Sequence, residues 1–337
     1  MKKATVSVWR IMVHFGMHPD ELLAIFLFMI FGRKMFAGIE SAKIVEVTDD
    51  ELAKLRHGRT EQQMRDEDHV ISVGIGGGAF DEHGHDGKPR KVGTSAAQKV
   101  AEFLGVADDP TVVRLLDYVT KNDDKGGRTE WDFAQMVCDL NRSTFKGKPQ
   151  DLYAWAEVVF ESKRVRQAEY LAAEKIAETV QPTRVRDGIM AIRLDLTGRD
   201  DNAMVHSLLL KKADVVVIKR PTGHIQIYSR KGQVDLERVV NGIRYGELRA
   251  RNLSVPQEVD LGQDGTLDCV PNWHYHSGAG WVFNGSLSHP GHQPTVLSLD
   301  YVCEQVGNRT ARVQRVKNEQ RLPFGQPVLS ERNVVVA

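Results

Sequence analysis

Residues 22–31 read LLAIFLFMIF, ten successive apolar side chains placed directly behind Asp20-Glu21 and ahead of Gly32-Arg33-Lys34. A helix that spans a bilayer needs about 20 such residues, so this run predicts a buried core helix and no membrane contact. Asp20 and Glu21 also remove the basic n-region and cleavage pattern of a signal peptide. Pro19 suits the first helical position, and the two acids suit the first turn, where the helix dipole favours anions. The helix is expected to continue to about Phe36.

The segment before it, residues 4–13, is β-branched and apolar and reads as a buried strand, joined to the helix by a short polar turn, His14 to His18. Residues 43–48 read as a second strand, Asp49 to Asp68 as a charged stretch holding a helix exposed on one face, and residues 69–75 as a third strand. A glycine-rich loop follows, Gly76 to Gly87; then comes a helix capped by Thr94 or Ser95 and ended by Gly105, and another from Asp109-Pro110 to about Lys121. Strand–turn–helix units repeated in this way predict an α/β fold with a mostly parallel sheet in residues 1–150. Residues 151–182 read as a helical connector that Gln181-Pro182-Thr183 ends. Residues 183–307 read as a smaller α+β domain: a hairpin of 213–219 and 224–228, an amphipathic helix over 235–250, and a Gly-rich aromatic segment, Trp273 to Gly285. The stretch 308–337 reads as a basic irregular tail.

The chain's 337 residues suit about two domains, and 41% hydrophobic with 27% charged residues excludes global disorder. Lys and Arg total 45, as do Asp and Glu, which excludes a polyanion binder acting through bulk charge alone but leaves room for a local basic groove. Cys138, Cys269 and Cys303 form neither a disulfide framework nor a zinc pattern, and fit a reducing, cytoplasmic compartment.

Two clusters carry chemistry. His14-x-x-x-His18-x-Asp20 sits where the first strand gives way to a helix, and Asp81-x-His83-x-His85-Asp86 follows the third strand. In open α/β sheets ligands bind beyond the carboxyl ends of strands, so neighbouring parallel strands would bring both clusters to one edge. Imidazoles mixed with carboxylates suit Mn²⁺, Fe²⁺ or Zn²⁺. Asp117, among Val113, Leu116 and Val119, and the run Asn122-Asp123-Asp124 form a third candidate. Bland alternatives stand beside each: ordinary first-turn acids at Asp20 and Glu21, a solvated turn at Asp81 to Asp86, and a helical pair between Asp117 and Lys121.

His14-x-x-x-His18-x-Asp20 with its apolar helix resembles the first motif of the DHH phosphoesterase superfamily. Asp20-Glu21-x-x-Ala24, Val73-Gly74-Ile75-Gly76-Gly77, Phe80-Asp81-Glu82-His83, Ser95-Ala96, Phe103-Leu104-Gly105 and Leu115-Leu116-Asp117 with Asn122-Asp123 resemble its melanocyte-proliferating-gene exonuclease branch. The resemblance covers residues 5–127 and implies a DHH-like metal-binding catalytic domain. The second half resembles a DHH-associated substrate domain more loosely, through Ala213 to Tyr228, Leu236 to Arg249 and His276-Ser277-Gly278-Ala279-Gly280. The chain departs from the family where Ser72 stands in place of an Asp, and where Asp81-Glu82-His83 replaces Asp-His-His with His85 displaced.

The resemblance implies divalent-metal ligands, Mn²⁺ by preference and Mg²⁺ as the alternative, at His14, His18, Asp20, Asp81, His83 and Asp117, with Asp123 the alternate to Asp117. It implies catalytic roles for Asp81, His83 and His85. His274, His276, Gly278 and Gly280 are the candidate substrate contacts, beside the stacking faces of Trp273, Tyr275 and Trp281. The implied activity is metal-dependent phosphodiester hydrolysis on single-stranded RNA or DNA or on short oligonucleotides. A hydrolase of small phosphorylated molecules and a non-catalytic nucleotide-binding member, the latter favoured by Ser72, are the alternatives.

Overall fold

The computed structural model describes residues 6–83, 93–126, 129–198, 205–285 and 293–313. The chain divides into two compact units, Met1–Ala172 and Ala173–Ala337.

In the first unit β1 (Arg10–Val13), β2 (Lys43–Glu46) and β3 (Val70–Ser72) form a parallel sheet in the order β2-β1-β3. Val13 lies opposite Glu46 and Met12 opposite Ser72, so all three carboxyl ends meet at one edge. Successive side chains point to opposite faces. Ile11, Val13, Ile44 and Ile71 enter the main core, while Met12 and Val70 pack with Leu52 and Met64 on the other side. Leu52 and Met64 come from α2 (Asp49–Arg56) and α3 (Glu61–Asp68), which begin at Thr48 and Thr60 with reciprocal caps from Glu51 and Gln63.

Helix α1 (Pro19–Phe31) is buried from Pro19 through Met29 and packs against α4 (Ala96–Leu104), α5 (Val113–Lys125) and α6 (Phe133–Arg142). A helix apolar all round has to be enclosed, and these three helices with the sheet enclose it. A single helix α7 (Pro149–Thr179) follows. Among the described residues no helix is long and apolar enough to cross a membrane.

Three elements differ from the sequence expectation. The strand expected over residues 4–13 changes partners: Val6–Ser7 pairs with Phe36–Ala37, and only Arg10–Val13 joins the main sheet. Helix α1 stops at Phe31 because Gly32, a poor helix former, caps it with its N–H on the Phe28 carbonyl. The stretch Asp49 to Asp68 holds two helices, broken where His57 and Gly58 take left-handed backbone, φ 45° and 77°.

The second unit carries a seven-stranded sheet, with β4 (Thr183–Arg184), β5 (Met190–Asp195), β6 (Val215–Lys219), β7 (Ile225–Ser229), β8 (Gly265–Leu267), β9 (Val270–His276) and β10 (Trp281–Asn284) in the order β8-β9-β10-β7-β6-β5-β4. Only β5 and β6 run parallel. The expected hairpin is β6–β7, closed by the Gly223 N–H on the Arg220 carbonyl. A short helix α8 (Val205–Leu209) precedes β6, and one face of the sheet packs on α9 (Glu237–Ala250) and α10 (Leu299–Arg309), with Trp273, Tyr275, Val215, Ile227 and Val282 in the core. The expected irregular tail begins later than residue 308. Ser298 caps α10, Leu299, Val302 and Val306 bury one face of it, and Ala311–Arg312 then pairs with Val234–Asp235. Residues 314–337 lie outside the described residues.

Glu247, wholly buried on α9, organises this core. Its carboxylate accepts from Asn272 (2.8 Å), the Trp273 indole (3.1 Å), Arg251 (2.8 Å) and Thr295. Burial works against its charge, but the bonds from Thr295, Trp273, Arg251 and Asn272 outweigh it and hold the carboxyl below the ordinary glutamate range. A depressed carboxyl contributes stability above its unfolded pKa, and that contribution is lost as pH falls through the folded pKa. Glu247→Gln should therefore lower unfolding stability by about 1–3 kcal/mol at neutral pH. Denaturant titrations should show the gap between wild type and variant closing as pH drops below the ordinary glutamate pKa.

Candidate metal centre

The edge where the three parallel strands end gathers the titratable residues. The chain leaves β1 through His14, turns at Gly16 (φ 73°), and donates the Gly16 N–H to Glu46 at the end of β2, 3.0 Å. His18 then caps α1, and Glu21 reaches back to accept its N–H at 2.8 Å. This places His14 Nε2 3.4 Å from Glu21 Oε2 and the His14 and His18 rings edge to face at 4.9 Å.

The loop after β3 returns a second set of groups. Gly74, Gly76 and Gly77 take left-handed backbone, φ 65°, 74° and 72°. Arg56 donates to the Gly76 carbonyl (2.6 Å), and Glu61 accepts the Ala79 N–H (2.7 Å) across the bare Cα of Gly78. These glycines let the loop lie against Glu21, Leu52 and Glu61, so its geometry is fixed by side chains of the protein. Asp81 ends the loop, accepting the N–H groups of Gly77 (2.6 Å) and His83 (2.9 Å) and the His83 ring Nδ1 (2.9 Å). Lys99 of α4 donates to the Asp81 carbonyl.

Three groups each bring their ligand-type atoms within 4.8 Å of one another: His14, His18 and Glu21; His18, Asp20 and Asp123; and Asp81, Glu82 and His83. His18 belongs to the first two, and the third lies at the same strand edge, where the charge of Asp20 acts on Glu82. Asp20, Glu21, Asp81 and Glu82 are all buried. Asp20 accepts the N–H of Ala96, the first residue of α4, at 3.2 Å, yet burial still pushes its carboxyl up. Burial, and then the charge of Asp20, pushes Glu21 well above the carboxylate range, and the same two causes raise Glu82. Asp81 differs: burial raises it, but its bonds to Gly77 and His83 win and hold it below its usual value.

Glu21 Oε1, Glu82 Oε2 and His14 Nδ1 are buried with no hydrogen-bond partner among the described residues. Buried acceptors without partners are costly, and a cation among these carboxyls would relieve both the missing bonds and their mutual repulsion. The mixed imidazole and carboxylate donors fit a divalent ion of the Mn²⁺, Fe²⁺ or Zn²⁺ kind.

Of the residues expected from sequence, the structure brings His14, His18, Asp20, Asp81 and His83 to this edge. Asp117 is not among them: it is exposed on α5, while Asp123, one and two-thirds turns further along, joins His18 and Asp20. Glu21 and Glu82 were outside the expected ligand set, although each adjoins a member of it in sequence. His85 lies outside the described residues. Ser72 is buried with Glu61, Met64 and Phe80 on the α3 side of the sheet.

In the second unit His274, His276, Trp281 and Phe283 come from paired positions of β9 and β10, on the face opposite the core. His274 Nδ1 lies 2.8 Å from Thr266 Oγ1, and His276 is exposed with its ring 6.3 Å from that of Trp281. Gly278 sits against the His276 ring. Gly280 (φ 72°) has a packing role, since a Cβ there would stand 2.4 Å from Ser229 Oγ. Trp273 and Tyr275 face the core, and the buried Arg244 donates to the carbonyls of Leu261, Gln263, Gly265 and Trp273.

No family model and no curated protein matches this chain. Among solved structures, a pGpG-specific phosphodiesterase, PggH, from Vibrio cholerae is 16% identical, with 88% of this chain and 97% of that one covered at a TM-score of 0.27. An uncharacterized protein from Helicobacter pylori G27 is 9% identical, covering 66% of this chain and 86% of that one at 0.26. The DHH domain of a member of the s1p family of ribosomal proteins is also 9% identical, covering 89% and 87% at 0.26. Likeness at these TM-scores decides neither fold nor activity.

Gly74 tests how tightly the edge is built. A Cβ there would stand 2.7 Å from Glu21 Cγ and Oε1, both on a buried side chain, whereas one at Gly93 (φ 79°) would meet nothing within 4 Å. Gly93→Ala should cost only the left-handed backbone penalty, about 1–2 kcal/mol. Gly74→Ala should cost clearly more, measured by denaturant unfolding of both variants.

Proposed function

We propose that the chain is a metal-dependent phosphoesterase that hydrolyses phosphodiester bonds in short oligonucleotides or at single-stranded nucleic-acid ends. The observation that carries this reading is the strand edge itself: imidazoles of His14, His18 and His83 with carboxylates of Asp20, Glu21, Asp81, Glu82 and Asp123, where Glu21 Oε1 and Glu82 Oε2 are buried with no hydrogen-bond partner among the described residues. A divalent ion held there, Mn²⁺ first and Mg²⁺ second, would supply an activated water and neutralise phosphate charge.

The chain's own residues do the rest. Asp81, ionised, fixes the His83 ring through Nδ1, which leaves Nε2 as the nitrogen with a free lone pair. His83 is half-exposed, so that nitrogen is open to a ligand or to a proton from the reacting water. Glu46 and Glu21 hold the His14–His18 turn in place through Gly16 and the His18 N–H. On the second unit, Trp281 (39% exposed) is stacked on Phe283 at 5.6 Å beside the exposed His276, a face suited to a nucleobase. Base stacking of this kind contributes about 1–3 kcal/mol per base.

Metal content and Mn²⁺-dependent hydrolysis test the proposal, on 5′-phosphorylated dinucleotides, single-stranded RNA and single-stranded DNA. His14→Ala and Asp123→Asn should lower kcat/KM by about 100-fold or more and release metal, while Asp117→Asn should change neither. Bound metal with no hydrolysis of any of these substrates would favour the second reading, a nucleotide-binding protein, which the resemblance suggests because Ser72 stands in place of an Asp. Neither metal nor turnover across several divalent ions would sink both.

A further inference from the structure

Away from the strand-edge site, the second unit has a recess of about 370 Å³ lined by Arg186, Glu237, Arg238, Asn241, Gly262 and Arg309. Its three arginines come from three separate elements: the turn Arg186–Gly188, the first turn of α9 and the last residue of α10. Arg238 and Arg309 reach no carboxylate within ion-pair distance among the described residues. Arg186 approaches only Asp187, at 4.0 Å, and is tethered through Nη1 to the Asn308 carbonyl at 2.9 Å. Glu237 is the one carboxylate on the wall.

All three arginines are exposed, and two glycines border the recess. Gly242 leaves the surface of α9 bare where α10 crosses it, and a Cβ there would stand 3.0 Å from Arg309 Nε and 2.3 Å from Gln305 Oε1. Glycine inside a helix costs about 1 kcal/mol relative to alanine, so the bare position that seats Arg309 is held at a cost. Gly262 packs closely on the first turn of α9, since a Cβ on it would stand 2.9 Å from Glu237 Cγ. Asp235 and Asp260, which flank the recess in sequence, accept the backbone N–H groups of Glu237 and Gly262.

Three exposed cations lining one recess with one carboxylate give it a locally positive wall that an anion complements. Guanidinium forks match phosphate oxygens two at a time, and they are weakly hydrated enough to give up water for such a partner. We infer that this recess binds a phosphate-bearing anion carrying at least two negative charges. The ligand class comprises a free oligophosphate and the terminal phosphate of a nucleotide. The inference does not depend on the phosphoesterase reading, because the recess holds its cations whether or not the other unit binds a metal.

The test is calorimetric titration of the full chain without added divalent cations. The probes are inorganic pyrophosphate, a 5′-phosphorylated dinucleotide and the same dinucleotide with a 5′-hydroxyl. Wild type should bind pyrophosphate, the phosphorylated dinucleotide or both, and the unphosphorylated one at least about tenfold more weakly. Pyrophosphate alone would identify a free oligophosphate as the ligand, and the phosphorylated dinucleotide a nucleotide end. The variant R238Q/R309Q should weaken that binding by about tenfold or more, the loss expected for charge-assisted bonds. Arg249→Gln, an exposed arginine on the same helix outside the recess, should leave it unchanged. Circular dichroism of each variant keeps a folding defect apart from a lost contact. Absence of binding by wild type, binding undiminished in the folded double variant, or equal weakening by Arg249→Gln would each overturn the assignment.

Discussion

The first unit depends on one arrangement: a fully enclosed apolar helix that begins with two carboxyls inside the protein. Asp20 and Glu21 sit in the first turn of α1 and are as buried as the leucines behind them. Removing an ionised carboxyl from water costs several kcal/mol unless bonds or counter-charges replace the lost hydration. The fold supplies part of that replacement through the Ala96 N–H on Asp20 and the His18 N–H on Glu21. It leaves Glu21 Oε1 and Glu82 Oε2 without protein donors among the described residues, and the neighbouring carboxyls raise one another. A core that only needed stability would carry apolar groups here. Four buried acids beside the imidazoles of His14, His18 and His83 are the arrangement on which the proposed cation site rests.

Much of this was legible from the chain. Ten apolar residues behind an acidic pair fixed α1, and strand–turn–helix order placed His14, His18 and Asp81–His83 at the ends of neighbouring strands. What sequence could not settle was helical phase. Asp117 and Asp123 lie on the same helix, 240° further round once whole turns are removed, so only one of them can face α1. The apolar neighbours Leu116 and Val119 also contact the core, and with Asp117 between them its outward direction is set by the next residue's inward one. Glu82 was equally hard to see, because a loop with three left-handed glycines has no period from which side-chain direction can be read.

The two units treat glycine differently, and the difference separates structure from site. Gly74 and Gly78 clear space for the buried Glu21 and for Glu61, which brings Asp81 back to the sheet edge. Gly280, a candidate substrate contact from sequence, clears space for Ser229, whose N–H and hydroxyl both donate to the Gly280 carbonyl. Its turn sets the register that lines His276 up with Trp281 and His274 with Phe283. The candidate binding groups on this unit are thus the side chains on the open face of β9 and β10. The Gly-rich turn is the hinge that presents them.

Equal numbers of acidic and basic residues, 45 of each, suggest a chain with no electrostatic preference. The structure shows how little that balance says. Acids concentrate at the strand edge of the first unit, where only His14, His18 and His83 accompany them in the clusters, and three arginines meet around one recess of the second with a single carboxylate on its wall. At a few ångströms the local arrangement governs, because interactions beyond about 8–10 Å are screened at physiological salt. A chain of zero formal net charge thus still presents one locally acidic edge and one locally basic recess. Non-specific attraction to long nucleic acid, which scales with the number of phosphates neutralised, stays weak in the same molecule. The proposed substrates, short oligonucleotides and strand ends, make few phosphate contacts and so depend on local fields of this kind.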